Sequence, residues 1–101
     1  MTWETPDSEN LFKAILTLEN IDEAKGFFRD LLTEAEITEF AARFKVAQML
    51  DAKQSYVSIV AETGMSSTTI ARIAKWLKGD LGGYRRVIAR CNHHHIPRTY
   101  S

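Results

Sequence analysis

Apolar residues recur along this chain every three to four positions, the interval that places them on one side of a helix. Only two prolines occur, Pro6 and Pro97, and no stretch between them alternates apolar and polar residues as a half-buried strand would. The pattern predicts an all-α chain. A first helix is predicted over about 7–18, with Leu11, Phe12, Ile15, Leu16 and Leu18 as its apolar stripe. Asn20 can cap a second over 21–32, with Glu23 completing a capping box and Ile21, Ala24, Phe27, Phe28, Leu31 and Leu32 on one side. Thr33 and Glu36 form another capping box, opening a long helix over 34–51 whose expected buried face is Ile37, Phe40, Ala41, Phe44, Ala47 and Leu50. These stripes read as packing surfaces.

The next segment, 55–77, has a different organisation. Ser55 can cap a short helix over 55–63, to which Val57, Ile59, Val60 and Ala61 bring apolar contacts. Gly64 follows where the chain must turn sharply, a place for a residue that tolerates positive φ. Met65 plugs the corner, and Ser66 can cap a further helix over 66–78. Ile70, Ile73, Ala74 and Leu77 fall at i, i+3, i+4 and i+7 and make one face core. The rest of that helix is small, polar or basic: Ser67, Thr68, Thr69, Ala71, Arg72, Lys75 and Lys78. A glycine corner followed by isoleucines six and nine residues later is the spacing of a helix-turn-helix. Short hydroxyl side chains at the start of the second helix let it approach base edges in a major groove, and the basic ones beyond can reach phosphates. The predicted DNA-binding residues are Ser67, Thr68, Ala71, Arg72, Lys75 and Lys78. Gly79 to Gly83 reads as a hinge before a last helix over 84–91, and 92–101 as a polar tail.

Charge strengthens this picture without deciding it. The 101 residues carry no net charge, yet residues 1–51 hold a balance of −6 and residues 52–101 one of +6. A basic half suits a phosphate-binding surface, since neutralised phosphates release condensed counterions. The same split would also let opposite halves pair with each other within the fold or across a dimer. Arg85, Arg86, Arg90 and Arg98 are further candidates for phosphate contacts, or a solvated face.

Composition narrows the remaining classes. Hydrophobic residues make up 45%, in runs too short to span a bilayer, and the N-terminus lacks the pattern of a secretory signal. One cysteine, Cys91, rules out an internal disulfide framework and fits a cytoplasmic location. A single domain of this size buries a modest core, so pairing with a second chain would add stability. No nucleophile elbow, Gly-rich phosphate cradle or paired carboxylate suggests an enzyme, and no cofactor is implied. Cys91, His93, His94 and His95 lie together, but adjacent histidines in a polar tail seldom give the four-ligand geometry and supporting shell that zinc requires. No metal site is predicted.

Taken together, Phe27 to Thr33, Glu36, Arg43, Thr63-Gly64, Thr68 to Arg72 and Gly82-Gly83-Tyr84 resemble the Trp repressor superfamily, in its YerC/YecD branch. The resemblance covers roughly residues 8–91. It implies six helices and an intertwined homodimer, with interlocked N-terminal helices and two helix-turn-helix units presented to double-stranded DNA. Ser67, Thr68 and Ala71 match positions that face DNA in the repressor. Arg43, Thr69 and Arg72 match residues of its tryptophan pocket, where two arginines flank the indole. Two neighbours depart from the pattern: Ile73 stands where the repressor has a glycine, and Trp76 where it has a pocket serine. Thr69, Arg72 and Trp76 lie at i, i+3 and i+7, beside the DNA-facing residues. The expectation is therefore a vestigial ligand pocket of Arg43, Thr69, Arg72, Ile73 and Trp76. In it the Trp76 indole takes the ligand's volume, stacks on Arg43 or Arg72, and braces the reading helix without tryptophan. The alternative is that Trp76 is a core or dimer contact.

The expected function is a homodimeric, sequence-specific transcription regulator, a repressor by analogy, that does not respond to tryptophan. Two rivals make different demands. A helix-turn-helix adaptor for an acidic protein partner would bind DNA weakly and without sequence preference. A metal-responsive regulator would change its DNA affinity with zinc through the tail histidines.

Overall fold

The computed structural model describes residues 2–93. They form six helices and, among the described residues, no strand: α1 (Pro6–Ile15), α2 (Ile21–Leu31), α3 (Glu34–Asp51), α4 (Tyr56–Thr63), α5 (Ser67–Leu77) and α6 (Gly83–His93). The all-α expectation holds. The chain divides into two compact units, one up to Thr38 and the other from Glu39 onward.

In the first unit the helix starts follow local chemistry. Thr5 caps α1, its hydroxyl accepting from the Ser8 N–H at 3.1 Å while Ser8 Oγ accepts from the Thr5 N–H at 2.9 Å, and Pro6 takes the first helical position. This helix ends at Ile15, short of the predicted 18. Thr17 N–H bonds to the Ala14 carbonyl and Leu18 N–H to that of Ile15, both one residue tighter than an α-helix. The Thr17 hydroxyl adds a 2.7 Å bond to the Ala14 carbonyl, so a side chain competes with the helical ladder where the apolar stripe still continues. Asn20 caps α2 by accepting from the Glu23 N–H at 2.9 Å. The Glu23 carboxylate reaches the Glu19 N–H, one residue before the position a capping box would give it. Thr33 and Glu36 complete the predicted box at the head of α3. Neither α1 nor α2 contains a buried residue: Phe12, Leu16, Ile21 and Leu31 are all exposed.

The second unit holds the core. Val46, Ala47 and Met49 of α3 pack with Ile59 of α4, Ile70, Ile73 and Leu77 of α5, and Ile88 of α6, with Phe44, Leu50, Met65 and Tyr84 partly buried against them. The predicted buried face of α3 is corrected here. Ala47 is buried as expected, but Phe40 and Ala41 are exposed, and Val46 and Met49 carry the core contacts instead. The C-terminal half of α3 is apolar on both sides, so periodicity alone favoured the longer stripe. The helix closes with Lys53 at φ +69°, Gln54 N–H reaching the Met49 carbonyl and Lys53 N–H that of Leu50, a Schellman closure with lysine in the place glycine usually takes. α6 continues through Asn92 and His93, two residues predicted to begin the tail. His94, His95 and Arg98 lie outside the described residues.

Candidate nucleic-acid interface

The helix-turn-helix is built from α4, a tight corner and α5. Ser55 caps α4 by accepting from the Ser58 N–H at 3.1 Å. Only Ile59 of that helix is buried. Val57, Val60 and Ala61, expected to bring apolar contacts, are exposed, Val57 at 81%. At the corner Gly64 adopts φ +74° and its N–H bonds to the Val60 carbonyl at 2.9 Å. The Thr63 hydroxyl locks the turn, donating to the Ile59 carbonyl at 2.7 Å and accepting from the Met65 N–H at 3.1 Å. Ser66 then caps α5, accepting from the Thr69 N–H at 3.2 Å. Nothing stands within 4 Å of where a Cβ on Gly64 would be, so only its left-handed backbone resists a side chain. Gly64→Ala is therefore expected to cost about 1–2 kcal/mol, and Gly64→Asn distinctly less. Thermal melts of both variants check this, and equal melting temperatures for Ala and Gly would contradict it.

The capped helix presents two contrasting faces. Ile70, Ile73, Ala74 and Leu77 are buried, which fixes the rotation of α5 about its axis. Ser67, Thr68, Ala71, Arg72, Lys75 and Lys78 are all exposed, so the six predicted DNA-binding residues share the open surface of one helix. Among the described residues none of Arg72, Lys75 and Lys78 pairs with a carboxylate. The acid on α4, Glu62, is engaged by Lys45 of α3 at 3.8 Å. That pair ties α3 to α4 and leaves the cations of α5 uncompensated.

The residues of the expected vestigial pocket are placed as follows. Thr69 is half-buried and shares a 3.0 Å hydrogen bond with the Ser66 hydroxyl. Ile73 turns into the core at 3% exposure. Arg43 is exposed on α3, paired with Glu39, with its guanidinium carbon 5.6 Å from the centre of the Phe40 ring. Phe40, rather than Trp76, is thus the aromatic partner of Arg43. Trp76 is 57% exposed, its indole edge beside Gly79. It lines an apolar groove of about 470 Å³ together with Phe44, Leu81, Gly83, Tyr84 and Val87.

One side chain departs from the expectation of a phosphate contact. Arg85 donates through Nη1 to the Leu77 carbonyl at 2.7 Å and to the Gly79 carbonyl at 2.9 Å. No local spacing rule singles out a residue eight positions beyond its acceptor, and only the fold brings them together. Cys91 is half-buried, and no group of three His, Cys, Asp or Glu among the described residues could hold a metal ion. No helix among them is long and apolar enough to cross a membrane.

Comparison with known proteins places this geometry. A family model described as Trp repressor protein matches residues 7–92. The uncharacterized protein YerC of Bacillus subtilis (strain 168) is 38% identical over 82 residues, which cover 81% of this chain and 79% of the relative. Among solved structures, a TrpR-like protein from Eubacterium eligens is 42% identical with a TM-score of 0.81, covering 88% of this chain and 92% of that one. A proposed Trp repressor from Staphylococcus aureus is 37% identical with a TM-score of 0.80, covering 88% and 89%. With six helices among its described residues, a helix-turn-helix at 55–77 and matches that span most of its length, the chain belongs to the Trp repressor family of helix-turn-helix regulators.

Proposed function

We propose that this protein is a sequence-specific, DNA-binding transcription regulator, a cytoplasmic homodimer that represses by occupying a pseudo-palindromic operator. The observation that carries the reading is the exposed face of α5, with Ser67, Thr68 and Ala71 at its start and Arg72, Lys75 and Lys78 beyond. Short side chains there admit the helix deep into a major groove and read base edges directly or through water. The cations then set register on the phosphates. Two copies would present two such helices about one helical turn of DNA apart, roughly 34 Å.

In this reading the protein works without tryptophan. An indole from Trp76 already stands on α5 where the repressor has a small pocket residue. Arg43 is engaged by Glu39 and Phe40 of its own helix. Arg43, Thr69, Arg72, Ile73 and Trp76 are then the remnant of a pocket.

Selection of bound duplexes from a random DNA pool at physiological salt, with and without tryptophan, tests both parts. A two-fold motif enriched equally in both arms is expected, with no heat of tryptophan binding in calorimetry. A motif that requires tryptophan would retain the regulator and discard the filled pocket. No motif in either arm would favour the adaptor.

A further inference from the structure

We infer that Arg85 is a positioning residue, clamping the C-terminal end of the reading helix to α6 instead of contacting phosphate. The last carbonyls of any helix lack intrahelical donors and carry the negative end of its dipole. In α5 the cap residue Lys78 closes its N–H on the Ala74 carbonyl at 3.2 Å and Gly79 closes its own on that of Trp76 at 3.0 Å, leaving the Leu77 carbonyl and that of Gly79 in the hinge. Arg85, in the first turn of α6, supplies a cation to both through one nitrogen, at 2.7 and 2.9 Å. Charge-assisted bonds of this kind are shorter and stronger than neutral ones.

The hinge is shaped to admit that guanidinium. Gly82 adopts φ +68°, and a Cβ there would stand 3.0 Å from Arg85 Nη2 and 3.9 Å from Arg86 Nε. A side chain at 82 would thus be strained in its backbone and would press on the clamp. Arg86, one residue on, is exposed and makes neither of these bonds, so the two adjacent arginines do different work. The clamp fixes the end of α5 that carries Lys75 and Lys78. It therefore sets where those cations fall along a DNA backbone once Ser67 and Thr68 are seated.

This inference rests on the DNA-binding reading, and the test separates the two. Arg85→Ala, Arg85→Lys and Arg86→Ala are compared with the unmodified protein for binding to the selected duplex and to a scrambled one across a salt series. Amide hydrogen exchange at Lys78 and Gly79 is followed in parallel. For Arg85→Ala, affinity for the selected duplex falls about tenfold, more than for the scrambled one. The slope of log affinity against log salt stays unchanged, because no phosphate contact has been removed. The Lys78 and Gly79 amides exchange about tenfold faster. Arg85→Lys keeps the charge but not the reach, and recovers only part of either loss. Arg86→Ala leaves exchange at these amides as it was. A loss of stability alone would lower the melting temperature without moving the ratio between duplexes. A salt slope reduced by about 0.9 in Arg85→Ala with exchange unchanged would overturn the inference, as would full recovery by Arg85→Lys. If no duplex is selected, the DNA reading falls, and unchanged exchange in Arg85→Ala would still refute the clamp.

Discussion

Thr68→Ala combined with Ala71→Glu abolishes specific binding to the selected operator while the protein stays folded. Both residues are exposed on α5 and neither contributes to the core of Ile70, Ile73 and Leu77. Alanine and glutamate are better or nearly equal helix formers than what they replace, so α5 itself loses nothing. The effect on recognition is of another order. Thr68 lies on the first turn of the reading helix, where its hydroxyl can donate to or accept from a base edge or an ordered water. A carboxylate at 71 would face base acceptors and phosphates at close range, and at i, i+4 it would also draw Lys75 away from the phosphates. Specific binding exceeds non-specific binding by at least about a thousandfold in such proteins, and that whole margin is expected to vanish. Equilibrium binding to selected and scrambled duplexes, with circular dichroism melts alongside, reads the result. Unchanged operator affinity in a folded variant would show that another surface reads DNA.

That prediction could be framed from the sequence because its inputs are local. Ser55, Thr33 with Glu36, and Ser66 cap the helices they were expected to cap. Gly64 turns the corner with positive φ because few other residues tolerate that backbone. The isoleucine spacing of α5 then orients its polar side without help from distant residues. What escaped the sequence depends on tertiary context or on competition between neighbours. The end of α1 is set by Thr17, whose hydroxyl takes a carbonyl from the helix although the apolar stripe runs on to Leu18. The core face of α3 is set by which side α4, α5 and α6 pack against, and Val46 and Met49 could not be preferred over Phe40 before that was known. Arg43 finds Phe40 and Glu39 three and four residues back in its own helix, and not an aromatic on α5. Arg85 looked like one of several surface cations until the fold brought two helix-end carbonyls to it.

The second large effect concerns the proposed homodimer. Phe12→Glu together with Leu31→Glu is expected to convert it to monomers and remove two-fold operator recognition. α1 and α2 are amphipathic, yet neither buries a residue, and both Phe12 and Leu31 remain 47% exposed. Ordered helices that leave such stripes open are suited to cover by a second copy. In a symmetric dimer each substitution counts twice, so four apolar contacts are lost. With about half of each side chain still open to solvent, each is worth roughly 0.7–1.5 kcal/mol by burial, and each is replaced by a carboxylate that resists burial. Dissociation should therefore strengthen by at least about two orders of magnitude, since about 1.4 kcal/mol corresponds to tenfold. The second unit keeps its own core of Val46, Ile59, Ile70, Ile73 and Ile88, and helical signal should survive in the variant. Sedimentation equilibrium would find one chain mass where the unmodified protein gives two. The melting temperature of the unmodified protein should rise with concentration, as it must when folding and association are linked. On DNA, the variant should bind a half-site no better than a full operator, because the second reading helix no longer arrives with the first. A variant that keeps both its dimer mass and its full-operator preference would mean that α1 and α2 are not what holds the two copies together.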